Sequence, residues 1–442
     1  MKPLPLTPLE EYLLCEDRPG YPGWICSRLR FRGALQRDVL ARAFAAAVAR
    51  HPLARAVVRR GRSGRPAWMW PEGVGPLPVD WRARVADGVW PEFPSHGLEA
   101  APGFRLVVAE EAGITEVYVQ SHHAVMDGAG GFGLTEEILL RYARELGVLV
   151  EPKELKPERL ARRGRLAASF GQLLARLPGL TLGLALNWQL ARRTVAPLAS
   201  PGNFSTPRPP PAMARLTLTP ADYQRLRVGA RRAGAGVNDV LLRDFFAAIG
   251  AWREARGVVA PLDWIRLAVP VNLRARADAA LPAANVFGMV ALDRRAKSLA
   301  NRDRLLRRAR EDMDMVKKWR LGLTFPALLA LCRRGPGGIP AYSARPVTRA
   351  TVVLTNDGKI FAQSRLLNAA RHVALPDAVL EDVAVSLPCR PGTAALVAVG
   401  VYAGTMFADL TYDSQALTAN EARQLLGAFE AQLRLSMAAE AR

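Results

Sequence analysis

Two adjacent histidines, His122 and His123, are followed by Ala124-Val125-Met126 and then by Asp127-Gly128. An imidazole ordinarily titrates near neutrality, so it can take a proton from a hydroxyl or an amine and return it to a leaving group. A carboxylate four residues on and a glycine that lets the loop pack tightly complete a workable seat for a general base. The same residues also read as a hairpin end with buried, hydrogen-bonded histidines. The chain holds five histidines, two of them in this pair.

The flanking segments must position that loop. Residues 104–111 (FRLVVAEE), a turn at Ala112-Gly113 and residues 114–123 (ITEVYVQSHH) predict a β-hairpin whose second strand delivers both histidines at its end. Gly128, Gly130, Gly131 and Gly133 predict a flexible turn before a helix over 135–146. Glu136 and Glu137 would suit the positive end of that helix's dipole. Upstream, residues 35–50 space Leu40, Phe44 and Val48 four apart, a helical stripe that stops at His51-Pro52.

Residues 151–213 predict a crossover, with a basic segment at 158–165, an apolar stretch at 166–190 and a Pro-rich run, TPRPPP, at 206–211. Beyond it, strands are expected at 214–219, 265–271, 286–293, 350–355, 380–387, 394–399 and 401–411. Helices are expected at 220–234, 238–256, 298–318, 325–333 and 418–437. The simplest architecture is α/β: two α+β sandwiches, residues 1–150 and 214–442, joined by the crossover.

Of the 442 residues, 50% are hydrophobic and 23% charged, which suits a large folded core. The net charge of +21 invites a nucleic-acid reading, but its distribution argues otherwise. Residues 1–150 carry only +1, and the other +20 lies on the crossover and second half, spread among Leu, Ala and Val rather than gathered in a polar arm. Cys15, Cys26, Cys332 and Cys389 form no C-x-x-C pair and have no histidine at ligand spacing, so no metal site and no disulfide is expected. The opening MKPLPLTPLEEYLLCEDRPG lacks a basic stretch followed by an apolar one, which predicts no secretory signal and a cytoplasmic setting. Residues 166–190 are interrupted by Arg176, Pro178, Gly179 and Asn187 and make a poor spanning helix. Flanked by arginines, that stretch fits either a membrane-surface element or a buried lid.

HHAVMDG (122–128) resembles the HHxxxDG signature of the condensation-domain-like, CoA-dependent acyltransferase superfamily. That superfamily includes chloramphenicol acetyltransferase, condensation domains of nonribosomal peptide synthetases, alcohol acetyltransferases, mycobacterial polyketide-associated acyltransferases and wax ester synthase/diacylglycerol acyltransferases. Five further segments are similar in order and spacing: LTPLEEYLL (6–14), ARHPLARAV (49–57), GVNDVLLRDF (236–245), VPVNLRAR (269–276) with NVFG (285–288), and VLTNDGKI (353–360). The chain departs from relatives in lacking the DFGWG motif of plant acyltransferases and in carrying TNDG where wax ester synthases have SNxPGP.

The resemblance implies two chloramphenicol-acetyltransferase-like domains in a V-shaped pseudo-dimer with the site in a tunnel between them. His123 would be the base, and Asp127 would pair with Arg274 to fix the loop, with Arg55 as the competing partner. His122 and Gly128 would shape the loop. Asn238 and Asp239 read first as an N-cap and a first-turn carboxylate, worth about 1 kcal/mol. Thr355 and Asn356 would lie near the reacting centre, one of them donating to an oxyanion, or would form a turn.

No cofactor is implied; the donor would be an acyl-CoA or acyl carrier protein thioester and the acceptor a hydrophobic alcohol. A cationic helix (Arg302, Arg304, Arg307, Arg308, Arg310, Lys317, Lys318 and Arg320) would steer an anionic donor or form a solvated face. The rival readings are a free-standing condensation enzyme fed by a carrier protein and a non-catalytic binding protein on the same fold.

Overall fold

Residues Phe104–Glu111 and Ile114–His122 pair antiparallel across Ala112-Gly113, whose φ angles are 46° and 80°. Left-handed backbone at both positions matches the right-handed twist of the strands, which is why this short turn closes the expected hairpin. The computed structural model describes residues 2–61, 64–71, 75–84, 89–94, 96–167, 169–199, 212–258, 260–345, 347–390 and 392–438. The expected Pro-rich run at 206–211 lies outside them.

The chain begins with β1 (Leu4–Pro5), α1 (Pro8–Glu16), β2 (Trp24–Gly33), α2 (Arg37–Ala49), β3 (Val57–Arg60) and β4 (Pro66–Met69). Next come β5 (Val79–Ala83), β6 (Phe104–Glu111), β7 (Ile114–His122), α3 (Gly128–Glu145) and α4 (Phe170–Ala191). The second half opens with β8 (Ala212–Leu218), α5 (Pro220–Arg232), α6 (Val237–Ala255), β9 (Trp264–Asn272) and β10 (Phe287–Arg295). It continues through α7 (Arg302–Lys318), α8 (Thr324–Cys332), α9 (Gly338–Ser343), β11 (Val352–Lys359), β12 (Ala378–Ser386), β13 (Ala395–Tyr402), β14 (Thr405–Tyr412) and α10 (Ala419–Ala438).

Two large sheets result, ordered β12-β2-β7-β6-β5 and β10-β9-β11-β13-β14-β8, beside a small β1-β4-β3 sheet. In the first, Leu106, Val108, Val117 and Val119 face a core closed by Leu40, Phe44 and Val48 of α2, the stripe read from the sequence. In the second, Leu267, Val397, Val399 and Leu410 pack under α6 and α10, with Phe245 edge-on to Phe429. Each sheet buries one face under helices, which gives the two α/β sandwiches.

One strand departs from the division at residue 214. β12 belongs to the second half by sequence but pairs antiparallel with β2 in the first sheet. There it covers what would be an exposed strand edge. Its Asp382 accepts from Arg28 on β2 at 2.9 Å and from Arg215 on β8 at 2.8 Å. Its Val385 N–H donates to buried Asp409 on β14 at 2.8 Å, so one strand ties both sheets together.

The glycine-rich turn is corrected as well. α3 starts at Gly128, and Gly130, Gly131 and Gly133 lie in its first two turns. Asp127 caps it by accepting from Gly130 N–H at 2.8 Å, and a Cβ at Gly130 would stand only 3.1 Å from the Ala284 carbonyl oxygen. Capping and close approach override glycine's weak helix propensity. Glu136 and Glu137 therefore sit past the dipole's positive end. Glu137 instead receives His51 Nε2 at 3.0 Å, Arg50 at 2.6 Å and Arg141 at 3.0 Å, which hold its carboxyl below the ordinary value against the burial that would raise it.

In the crossover, basic residues 158–165 are not all solvated. Arg163 is buried and forms a two-bonded pair with fully buried Glu10 of α1, at 2.6 and 2.7 Å. Trp68 donates to the same carboxylate at 3.1 Å. Removing one partner of such a pair strands a buried charge at a cost of about 3–5 kcal/mol. Arg163→Met should therefore lower unfolding stability in urea by that amount, and a change below about 1 kcal/mol would show that water already screens the pair.

Candidate active site

His123 directly follows β7, and its backbone N–H donates to the Gly23 carbonyl at 2.7 Å. Its ring Nδ1 lies 3.4 Å from the Met126 carbonyl, and the ring stacks on Phe287 with centroids 5.3 Å apart and an interplanar angle of 12°. A proton on Nδ1 would point at that carbonyl, which leaves Nε2 as the basic nitrogen. Burial, followed by the positive charge of Arg390, pushes the imidazole down to about 4, so it is neutral at physiological pH.

Two backbone carbonyls of the loop are held from the other half of the molecule. Asn285, buried just before β10, donates from its Nδ2 to the carbonyls of His123 and Ala124, both at 2.8 Å. The sequence places Asn285 in the NVFG segment but gives it no task; the clamp arises because residues 283–287 pack across the loop.

Asp127 is buried and saturated. Arg274 donates to both carboxylate oxygens at 2.8 Å, Gly130 N–H to Oδ1 at 2.8 Å and Val286 N–H to Oδ2 at 2.8 Å. Arg274 donates also to the Ala284 carbonyl at 2.9 Å. A bidentate pair with two further amide donors is stiff and leaves the carboxylate no vacancy for substrate. Arg274 is thus the partner that the resemblance implied, ahead of Arg55.

His122 goes to a different set of neighbours. Ala124 N–H donates to its Nδ1 at 3.1 Å, its Nε2 lies 3.2 Å from Asp17 Oδ2, and its ring meets Trp24 edge-on at 5.7 Å. Burial would raise the Asp17 carboxyl, but the contact with His122 overrides it and holds the group below the usual carboxylate value. His122 therefore anchors the loop base to residues 17–24.

The remaining candidates form a second cluster. Asn356 Nδ2 donates to Asn238 Oδ1 at 3.2 Å, bringing two segments 118 residues apart into contact. Asn238 is not the N-cap of α6: Gly236 is, and Asp239 accepts its N–H at 3.0 Å as the expected first-turn carboxylate. Thr355 Oγ1 donates to Asp357 Oδ1 at 3.5 Å. Residues 355–358 lie within β11, with a register shift between Asn356 and Gly358, rather than in a free turn. Neither Thr355 nor Asn356 hydrogen-bonds His123. Arg302 also leaves its expected place on the cationic helix face, pairing with buried Asp244 at 2.9 Å. Among the described residues, no group of three or more His, Cys, Asp or Glu side chains is placed to hold a metal ion.

Asp357 links the two clusters, and the sequence reading passed over it as part of a turn. A Cβ on Gly128 would meet Asp357 Oδ1 at 3.6 Å, so the carboxyl faces the start of α3 beside Asp127. Burial lifts it to about 6; the Thr355 hydroxyl works against that rise and the Asp127 charge adds to it. No ion-pair partner for it occurs among the described residues. A buried carboxyl without a cation destabilises a fold, and such groups concentrate where function requires them.

The sign of that cost is testable. The carboxyl goes from its ordinary 3.8 to about 6 on folding, so it opposes folding fully above the folded value, where both states are ionised, and not at all below the unfolded one. Asp357→Asn should raise the urea midpoint at about pH 8, with a smaller gain at about pH 5. Equal midpoints at about pH 8 would mean that water reaches the carboxyl.

No family model matches the sequence. Two curated relatives from Mycobacterium tuberculosis, the uncharacterized proteins Rv2305 and MT2362, are each 30% identical over 277 residues. The match takes in 61% of this chain and 62% of each relative, so the chain spans about three fifths of the length of the curated relatives it matches. Among solved structures, the chain is similar to the first condensation domain of the calcium-dependent antibiotic synthetase, with 17% identity and a TM-score of 0.70 over 100% of this chain and 98% of that one. It is similar to SgcC5 from Streptomyces globisporus, with 14% identity and a TM-score of 0.68 over 99% of each chain. It is also similar to polyketide synthase associated protein 5 from Mycobacterium tuberculosis, with 16% identity and a TM-score of 0.64 over 99% of each. Likeness at such identities is likeness of architecture, and it extends over the whole chain: the protein has a condensation-domain-like fold.

Proposed function

We propose that the protein is an acyltransferase that moves an acyl group from a thioester donor, an acyl-CoA, to the hydroxyl of a hydrophobic acceptor, with His123 as general base. The observation that carries this reading is the bonding of one ring. Nδ1 of His123 is turned to the Met126 carbonyl, while no described residue hydrogen-bonds Nε2, which keeps a lone pair for an incoming acceptor.

The proton account closes on that nitrogen. Nε2 takes the acceptor's hydroxyl proton as the oxygen bonds to the thioester carbonyl carbon, and the carbonyl electron pair moves onto its own oxygen. Collapse of the tetrahedral intermediate breaks the C–S bond, and the departing sulfur receives the proton from Nε2. No acyl-enzyme forms, in keeping with a chain that lacks a G-x-S-x-G nucleophile elbow. Asp127 and Arg274 hold the loop, and His122 and Gly128 shape it. Thr355, Asn356 and Asn238 are assigned to the wall of the channel rather than to an oxyanion hole, because Thr355 and Asn356 donate to Asp357 and Asn238.

A panel of acyl-CoAs with hydrophobic alcohols and amines, read by thiol release, tests the reading. His123→Ala should lower the rate about 10²–10⁴-fold. Unchanged turnover in that variant would remove His123 as the base, and ligand binding without turnover, undisturbed in that variant, would favour a binding protein. Transfer only from a loaded carrier protein would replace CoA as donor and make the protein a free-standing condensation enzyme.

The pH profile offers an independent check. With its pKa depressed to about 4, His123 keeps its basic form well below neutrality. In an Asp357→Asn background, kcat/KM should hold down to about pH 5. An acid limb near the ordinary imidazole value of about 6.5 would show that the ring is solvated rather than desolvated.

A further inference from the structure

Helix α4 is seated backbone-close on its inner side. A Cβ on Gly179 would collide with the Trp319 carbonyl, and one on Gly183 with the Thr324 hydroxyl. Leu180, Leu323 and Ala327 are buried in that contact. The outer side carries Phe170 (74% exposed), Leu174 (50%), Leu177 (42%) and Trp188 (63%), with Thr181 and Ala185 exposed between them. Steps of three and four keep these residues on one helical face, a line about 27 Å long. Large apolar side chains thus face outward while glycines face inward, the reverse of an ordinary surface helix.

Beside this line, between α4 and the end of α7, lies a cavity of about 330 Å³ whose lining includes Arg176, Lys318 and Arg320 but no carboxylate. Burial and the neighbouring charge of Arg320 both disfavour the charged form of Arg176. Arg320 also takes a φ of 51°, left-handed backbone that a non-glycine residue rarely adopts. Cationic repulsion and backbone strain converge on one small cavity, and an anion there would relieve the repulsion. Tryptophans stand with cations at two points of the surface: Lys318 lies 5.4 Å from the Trp319 ring centroid, and Arg192 lies 3.9 Å from that of Trp188. A ring that is apolar in body and polar at its tip suits a water–lipid boundary.

We propose that this face docks on a bilayer containing anionic phospholipid, with the line from 170 to 188 among the acyl chains and Arg176, Lys318 and Arg320 around a headgroup phosphate. Charge complementarity and length select the occupant. A nucleotide-sized anion would fill the cavity and leave most of the line bare, whereas a lipid surface covers both. No helix among the described residues is long and apolar enough to cross a membrane, so the contact is peripheral. The proposal stands apart from the acyl-transfer reading, since its test reads binding and not turnover.

The test is sedimentation of the full chain with vesicles of phosphatidylcholine alone, or with about one third phosphatidylglycerol, at low salt. The protein should bind the anionic vesicles, and brominated acyl chains should quench its tryptophan emission. Leu174→Glu with Leu177→Glu should weaken binding about a hundredfold. Lys318→Gln with Arg320→Gln should weaken it roughly thirtyfold on anionic vesicles only. Urea midpoints matching the parent would show that both variants fold. Absence of binding to anionic vesicles, or binding untouched by the leucine pair, would overturn the proposal. So would charge variants that bind vesicles as before but lose affinity for CoA or for an acidic carrier protein.

Discussion

The position of the histidine loop depends on the pair between Asp127 and Arg274. Asp127 is carried by the loop that follows β7, whereas Arg274 follows β9, so the ion pair crosses from one half of the chain to the other. The chain from Arg274 to Phe287 surrounds the loop at several heights: Arg274 and Val286 meet the carboxylate, Asn285 holds two carbonyls, and Phe287 lies flat against the imidazole. Each contact supports the others. Under the proposed function this clasp would matter to the chemistry, because small misplacements of a base weigh heavily on rate.

The site's ionisable groups sort by how well they are satisfied. Asp127 has four donors and behaves as a fixed strut. His123 and Asp357 are half-buried with few partners, and desolvation drives each toward its neutral form, the imidazole downward and the carboxyl upward. In both groups environment rather than residue type sets protonation. The fold bears that strain locally, while its ordinary charges are placed in pairs such as Arg163 with Glu10.

Local pattern made much of the architecture legible. The β6–β7 hairpin, the stripe of α2 and the run of helices and strands after residue 212 follow from periodicity and turn chemistry, which act over a few residues. The motif resemblance led to His123 and to Arg274, and the geometry joined Arg274 to Asp127. What stayed hidden depends on distant partners. Asn285 looks like any asparagine until its segment crosses the loop, and Asp357 sits in an Asn-Asp-Gly sequence that reads as a turn until β11 carries it along β13, with a register shift at that point. The glycines of α3 misled for the same reason, since the close approach of Ala284 that favours them comes from 154 residues away. Asn238 lies two residues past Gly236, which forms the cap expected of it.

The donated strand β12 bears on how the chain is made. Arg32 on β2 meets Glu381 across the seam, and the two are 349 residues apart in sequence. A ribosome adding about 5–20 residues per second needs roughly 20–70 s to bridge that interval. Once β7 and α3 have emerged, the first sheet has its hairpin and its histidines, but one flank of β2 still offers unpaired N–H and C=O groups to any passing strand. That flank is thus closed only in the last quarter of synthesis, when β12 emerges and pairs with β2.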